Sequence, residues 1–157
     1  MSTTTRKAIV LGIVTSAAVA MLVVSLSAFP QEKAKTAMTM SKEVVWPAAE
    51  MKFNAAIPGV EQAVLWGDPT KGAYGAVTRF KAGQKNPLHT HSHDIKMVVI
   101  SGTFIHGTES GEKKLGPGSY LLVPGGMKHT SGANTDADCL FFEESPGKFD
   151  MQVVAKQ

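Results

Sequence analysis

Histidines at alternate positions are the residues of this chain whose type and spacing best suit metal chemistry. Three of its five histidines, His89, His91 and His93, fall within the segment NPLHTHSHDIKMVVISG. Alternate side chains of a β-strand point to the same side, so an extended backbone would direct these imidazoles towards one point. The spacing indicates a metal site, and a solvated strand edge is the alternative.

His129 is the histidine that would complete such a site. It follows the turn sequence PGGMK and stands at the start of another expected strand. Paired strands lie about 4.8 Å apart, so pairing would bring the imidazoles of His89, His91 and His129 to one ion. Neutral imidazole binds Zn, Fe, Mn, Ni and Cu, and we expect one of these divalent metals as the cofactor. His106, in TFIHG, is predicted to be a surface or pocket-rim residue.

Short apolar runs separated by turn residues must position these side chains. The predicted strands are EQAVLW, YGAVTRF, IKMVVISGTFIHG, SYLLVP and CLFFEE, and the turns between them include GDPTKG, KAGQKNP and TESGEKK. Runs of this length and spacing predict an all-β fold, an antiparallel sandwich or barrel. The 15 glycines and 8 prolines favour the same turn-rich class.

Four large aromatic residues are predicted to lie in the core of this fold, namely Trp46, Trp66, Phe141 and Phe142. The single cysteine, Cys139, has apolar neighbours in DADCLFFEE and is predicted to be a buried structural thiol. One thiol cannot form a disulfide within its own chain.

The histidine segment resembles the first sequence motif of the cupin superfamily. That motif is Gly, five residues, His-x-His, three or four residues, Glu, six residues and Gly. Gly83 precedes His89 and His91 at the expected interval, and Gly102 closes the motif. Ile95 stands where the pattern has its glutamate.

A later segment, GSYLLVPGGMKHTSGAN, is similar to the second cupin motif. Gly118, Pro124, Gly126 and His129 stand at the expected intervals, and Ala133 occupies the place of the final asparagine.

The resemblance covers residues 74–145 and extends to small cupins that include ChrR-like sensor domains. It implies a cupin β-barrel of the jelly-roll type over residues 44–157. Small barrels of this kind enclose a cavity for one ligand, and the resemblance places a mononuclear divalent metal there.

The missing glutamate leaves the fourth protein ligand open, and it makes a cupin that keeps both motifs without a metal the main alternative to a metal site. His93 is one candidate, because it shares its side of an extended strand with His91, and Asp94 is another if the chain turns after His91. Glu143 and Glu144, on a late strand, are more distant options. Imidazole ligands are neutral, so an all-histidine site keeps the full charge of the ion and favours an anionic small molecule.

The N-terminal 28 residues have the pattern of an export signal. Arg6 and Lys7 precede an uncharged apolar run, residues 8–28, that ends in small residues. This pattern predicts a hydrophobic helix that acts as a signal peptide over residues 1–28, with a retained membrane anchor as the alternative. Residues 29–43 are polar and predict a linker. We expect the rest of the chain to be exported, as a periplasmic, secreted or membrane-anchored protein.

Charge and composition narrow the expected partners. Without Arg6 and Lys7, 14 basic residues face 13 acidic ones, which argues against a nucleic-acid partner. We expect a small-molecule ligand, membrane contact only through the N-terminal segment, and a homodimer as one form of assembly. Two functions stay open: metal-dependent chemistry on a small molecule, and a non-catalytic ligand-binding or metal-sensing module. Catalysis needs a second polar group near the ion, and the candidates are Lys96, Tyr120, Glu143 and Glu144.

Overall fold

Eleven strands and one short helix make up residues 42–155, the part of the chain that the computed structural model describes. The helix is a single 3-10 turn at Ala48–Glu50. The strands are β1 (Asn54–Ile57), β2 (Val60–Gly67), β3 (Tyr74–Phe80), β4 (Lys85–Thr90), β5 (Ile95–Ser101), β6 (Phe104–Thr108), β7 (Gly111–Leu115), β8 (Tyr120–Val123), β9 (His129–Ala133), β10 (Cys139–Ser145) and β11 (Gln152–Val153). The all-β prediction is confirmed.

The strands form two antiparallel sheets. One sheet has six strands in the order β1-β2-β3-β10-β5-β8, and the other has five in the order β11-β4-β9-β6-β7. Strands that follow one another in the chain often lie in different sheets, as β3, β4, β5 and β6 do. The core and the predicted site therefore lie in the space between the inner faces of the two sheets.

The predicted signal or anchor helix over residues 1–28 lies outside the described residues, as does most of the predicted linker at residues 29–43. Within residues 42–155, no helix is long and apolar enough to cross a membrane. The predicted barrel region, residues 44–157, contains all of the strands described above.

Gly102 divides the predicted strand IKMVVISGTFIHG into two strands, β5 and β6. Its φ of 73° lies in the left-handed region, which glycine adopts without strain. A Cβ at this position would lie 2.3 Å from the carbonyl oxygen of Asp138. The prediction of one strand is wrong here, because the chain turns at Gly102 and passes from one sheet to the other. The predicted turn TESGEKK is also wrong in part, since Gly111–Leu115 forms β7.

Strand β10 shows how alternation divides side chains between the interior and the outer face. Cys139, Phe141, Glu143 and Ser145 are buried, and the residues between them are only partly buried. Because alternate side chains of a strand point to opposite faces, the buried set points into the space between the sheets. Cys139 is fully buried, as predicted, and burial raises the pKa of its thiol to about 11.

Three phenylalanines form the aromatic centre of the core. The ring of Phe141 packs edge-on against Phe80 and Phe104, with ring centroids 5.0 Å and 5.1 Å away. Phe80 and Phe104 also stack on each other at 5.6 Å. The predicted core position of Phe141 is confirmed.

The predicted core positions of Trp46 and Trp66 are wrong, because these residues are 45% and 44% exposed. Trp46 precedes the first strand, and its indole nitrogen donates a hydrogen bond to the carbonyl of Leu65. Trp66 lies near the end of β2, with its indole against Gly75 of the neighbouring strand. Phe142 is only half-buried, because it points to the outer face of β10.

Replacing Phe141 with alanine is expected to lower the free energy of unfolding by about 3–5 kcal/mol, the usual cost of removing a large core side chain. Phe142→Ala is the matched control on the same strand. It should cost clearly less, because part of the Phe142 ring already contacts water. Urea unfolding followed by circular dichroism measures both variants, and equal losses would contradict the placement of Phe141 in the core.

Candidate metal centre

His89, His91 and His129 come together on the five-stranded sheet. His89 lies on β4, His129 begins β9, and the two residues are direct partners in the antiparallel pairing. His91 follows the last residue of β4. Ring centroids lie 4.2 Å apart for His89 and His129, 4.9 Å for His89 and His91, and 5.2 Å for His91 and His129. All three residues are buried, and we call them the histidine cluster.

Backbone carbonyl groups hold one nitrogen of each ring in the histidine cluster. The Nδ1 atoms of His89 and His129 each bond to the carbonyl oxygen two residues earlier, at 2.7 Å and 3.0 Å. Nδ1 of His91 bonds to the carbonyl oxygen of Asp150. A carbonyl oxygen can only accept, so each neutral ring carries its proton on Nδ1 and keeps a free lone pair on Nε2.

Burial keeps the imidazoles of His89 and His129 uncharged. Desolvation lowers the pKa of His89, and it lowers the pKa of His129 to about 4. The carbonyl hydrogen bonds act in the opposite direction with a smaller effect, and the neighbouring imidazoles lower both pKa values further. His89 and His129 are therefore neutral at neutral pH, in the form that binds a metal ion.

The donor set fits a divalent first-row metal ion. One ring nitrogen from each histidine of the cluster lies within 4.8 Å of the other two. Among residues 42–155, no other three histidine, cysteine or acidic side chains come this close together. A histidine whose second nitrogen is held by a carbonyl group is also the usual arrangement of a metal ligand.

Two other predicted ligands lie outside the histidine cluster, because the chain bends directly after His91. His93 is exposed, and its ring lies beside Gly147. Asp94 is also exposed, and its carboxylate accepts a hydrogen bond from the backbone N–H of Gly125. The alternation that would place His93 beside His91 requires an extended backbone, which ends before His93 is reached.

Ile95 occupies the position of the cupin glutamate, and its side chain faces the interior. It is 3% exposed, pairs with Val123 of β8, and lines the same cavity as the histidine cluster. Its side chain has no donor atom for a metal, so this part of the wall is apolar.

His106 is a fourth buried histidine beside the histidine cluster. The prediction of a surface or pocket-rim position is wrong, because His106 is 6% exposed. It lies on β6 opposite Ser131, and its ring centroid is 5.4 Å from that of His129. Alternation along β6 explains the burial, since Phe104 and His106 share the inner side of that strand. Its Nδ1 has no hydrogen-bond partner among the described residues.

Four residues were predicted as candidates for a second polar group near the ion. Of these four, all within the described part of the chain, only Glu143 lines the cavity. Lys96 and Glu144 lie on the outer face of the six-stranded sheet, where their charged atoms are 3.5 Å apart. Tyr120 is 60% exposed.

Polar side chains from β2 and β3 surround the carboxyl group of Glu143. Gln62 donates a hydrogen bond to Oε1 at 2.7 Å, and the hydroxyl of Tyr74 donates to the same atom at 3.3 Å. Thr78 is a third hydrogen-bonding neighbour. Burial raises the pKa of Glu143 from 4.5 to about 7, although the hydrogen bonds oppose this change. No sequence pattern predicted Gln62, Tyr74 or Thr78 as neighbours of this acid.

The segment after β10 supports the histidine cluster, and no sequence motif predicted this role. Besides its carbonyl bond to His91, Asp150 accepts hydrogen bonds through its carboxylate from the backbone N–H and the hydroxyl of Ser92. The ring of Phe149 lies 5.4 Å from that of His91. This segment continues into β11, which pairs with β4.

A cavity of about 730 Å³ lies between the sheets, with the histidine cluster and Glu143 in its wall. This volume is within the usual range for sites that bind small molecules. Most of the remaining wall is apolar, and its residues include Ile57, Val60, Phe80, Met97, Phe104 and Phe141.

A cluster of buried imidazoles between two antiparallel sheets agrees with the cupin resemblance of the sequence. Residues 41–146 match the family described as the ChrR cupin-like domain. The chain therefore belongs to this family of the cupin superfamily. Among curated proteins, no sequence matches it.

Several solved structures share the fold. The polyketide cyclase RemF from Streptomyces resistomycificus has a TM-score of 0.62 at 18% identity, over 75% of this chain and 88% of its own. KdgF from Halomonas sp. has a TM-score of 0.54 at 22% identity, over 64% and 92%. The anti-sigma factor ChrR of Rhodobacter sphaeroides, in complex with SigE, has a TM-score of 0.52 at 23% identity, over 63% and 50%. Likeness at these identities shows the fold alone.

The raised pKa of Glu143 predicts a pH-dependent stability of the metal-free protein. The folded state holds a proton that the unfolded state releases between pH 4.5 and about pH 7, so this residue makes the free energy of unfolding fall as pH rises. Glu143→Gln removes that dependence. The free energy of unfolding of the variant, relative to the wild type, should therefore rise by up to about 3 kcal/mol across this range.

Urea unfolding at a series of pH values measures this difference. Glu144→Gln is the matched control, because Glu144 lies on the outer face of the same strand, and its difference from wild type should change little with pH. If the difference in free energy of unfolding between Glu143→Gln and the wild type does not change with pH, the pKa of Glu143 is not raised in the folded protein.

Proposed function

We propose that this protein binds one divalent metal ion through His89, His91 and His129 and holds a small anionic molecule at that ion. The hydrogen bonding of all three Nδ1 atoms to backbone carbonyls carries this proposal. It leaves three Nε2 lone pairs free in a buried site, which neutral imidazoles offer to Zn, Fe, Mn, Ni or Cu.

Three protein ligands leave coordination positions open for a bound molecule. A metal ion at this site would supply a Lewis acid that polarises a coordinated oxygen atom. The chain itself supplies the orientation of the rings, through the carbonyl bonds, and an apolar wall that limits the access of water. Ile95 belongs to that wall, in the lining of the same cavity as the histidine cluster.

The charge of the site favours an anion. The three imidazoles are neutral ligands, and Ile95 brings no carboxylate, so the protein does not offset the charge of the ion at the histidine cluster. Lys148 is exposed and belongs to the cavity lining, where its ammonium group adds a positive charge. Opposite charges attract more strongly in a site that excludes water.

Metal-dependent catalysis is the second candidate function, and the presence of Glu143 in the cavity wall favours it. The alternative is a non-catalytic ligand-binding or metal-sensing module. The proteins of similar fold include a polyketide cyclase and an anti-sigma factor, and a shared fold does not decide between such roles. The two functions are distinguished by incubating the metal-loaded protein with a small molecule that it binds. An enzyme converts the molecule into a product, whereas a binding module leaves it unchanged.

Replacing His89, His91 or His129 with alanine is expected to weaken metal binding by more than about 100-fold. Removing only a hydrogen-bonding partner of a metal ligand already lowers metal affinity by about 10–100-fold. Metal analysis after repletion and a zinc titration measure the change. His106→Ala is the control for losing a buried imidazole, and His93→Ala is the control for an exposed one. Both should keep the metal. A wild-type protein that takes up no metal after repletion, or equal losses for His106→Ala and His129→Ala, would disprove the proposal.

Ile95→Glu is expected to restore the carboxylate of the cupin pattern. A negative charge near the ion should raise metal affinity by about tenfold or more, since even part of the gross attraction at an effective dielectric constant of about 20 exceeds 1.4 kcal/mol. The same charge should weaken the binding of anions. Ile95→Gln is the control, because glutamine has nearly the same shape as glutamate and carries no charge.

Metal affinity and the melting temperature of the metal-free protein are measured together for these variants. If Ile95→Glu lowers the melting temperature and gains no affinity over Ile95→Gln, the glutamate does not reach the ion and the placement of the site is wrong.

We also propose that residues after 28 act outside the cytoplasm, on the strength of the basic flank and the apolar run before them. Mass spectrometry of the native protein should find a chain that begins near Phe29, or an intact chain in the membrane fraction. A full-length chain in the soluble cytoplasmic fraction would contradict this.

A further inference from the structure

Glu143 and the histidine cluster lie on opposite sheets of one cavity. His89 and His129 belong to the five-stranded sheet, and Glu143 lies on β10 of the six-stranded sheet. Side chains of both groups line the cavity. Glu143 and its hydrogen-bonding neighbours, Gln62, Tyr74 and Thr78, are called the acid cluster below. The cavity therefore has a polar group in each of its two facing walls.

An ionised carboxyl group accepts up to about four hydrogen bonds, so the three neighbours Gln62, Tyr74 and Thr78 do not fill the carboxyl group of Glu143. Gln62 and Tyr74 both donate to Oε1, so neither of them occupies Oε2. Within residues 42–155, no lysine, arginine or histidine forms an ion pair with Glu143, although it is only 5% exposed. A buried carboxyl group without a cation is costly, and an apolar residue would fill the same space at lower cost. A bound molecule would use the remaining capacity.

The cavity wall around these two polar groups is mainly apolar. Phe80, Met97 and Phe141 lie in it. A molecule that matches this lining has a polar group at each end and an apolar body between them.

We propose that Glu143 binds a hydroxyl or amino group at one end of a small molecule whose acidic group binds the metal ion at the histidine cluster. The ligand class is thus a short acid with an apolar body and a hydrogen-bond donor at its far end. The metal end of this assignment rests on the proposed function, whereas the donor end rests on the acid cluster alone.

Straight-chain carboxylates that carry a terminal hydroxyl test the assignment, with plain carboxylates of equal length as the comparison. Calorimetric titration of the full chain, zinc-loaded and metal-free, measures the affinities. At pH 8, above the pKa of about 7 of Glu143, and at the chain length that spans the cavity, the hydroxyl should strengthen binding by about tenfold, as a hydrogen bond to a charged group does. No gain from the hydroxyl at any length, or no binding by either series, overturns the assignment.

Glu143→Gln identifies the group that receives the hydroxyl. The variant keeps the size of the side chain and an acceptor for Gln62, so the gain from the hydroxyl should fall severalfold while the fold is preserved. Glu144→Gln, on the outer face of the same strand, should keep the full gain. A gain that is unchanged in Glu143→Gln overturns the assignment. If that variant does not fold, the wild-type comparison alone decides.

Zinc separates this inference from the proposed function. At pH 8, where Glu143 is ionised with or without the ion, zinc should strengthen both series by the same factor, because it acts on the carboxylate that they share. Zinc dependence without a gain from the hydroxyl supports the metal site and overturns the role of Glu143. A gain from the hydroxyl without zinc dependence supports the role of Glu143 and overturns the metal site.

Discussion

The bonds from the Nδ1 atoms to backbone carbonyls are the interactions on which the rest of the site depends. They select one tautomer of each ring, and they fix the direction in which each Nε2 lone pair points. The accepting oxygens belong to the main chain, so the course of the backbone sets this geometry. For His89 and His129 the acceptor lies two residues earlier in the chain, and for His91 it lies on Asp150. The two sheets hold the segments that supply these oxygens.

One physical effect, desolvation, acts on both polar groups of the cavity. It lowers the pKa of His129 and raises that of Glu143, so both residues favour their uncharged forms. Apart from the ammonium group of Lys148, the cavity thus offers hydrogen-bonding atoms with little fixed charge. A metal ion would be the strongest charge in this space and would draw the acid towards its ionised form. A metal ion bound at the histidine cluster would therefore change the charge of Glu143 on the opposite wall.

Local patterns in the sequence predicted much of the fold and the centre of the site. Strand β3 has the predicted bounds, and the predicted meeting of His89 with His129 follows from strand pairing. Other features depend on contacts that no local pattern records. His106 is buried because its side of β6 faces the core. Trp66 is exposed because its side chain lies on the outer side of β2. The support that Asp150 gives to His91 spans 59 residues of chain.

The position of Asp150 near the end of the described chain has a consequence for the timing of assembly. The ring of His91 has its carbonyl partner only after the ribosome has passed residue 150, and β4 gains its β11 neighbour only after that. A chain that stops before Asp150 has the same histidines, but the ring of His91 lacks the carbonyl group that orients it. Tight capture of an ion by the histidine cluster would therefore depend on the docking of β11 and of the segment that precedes it.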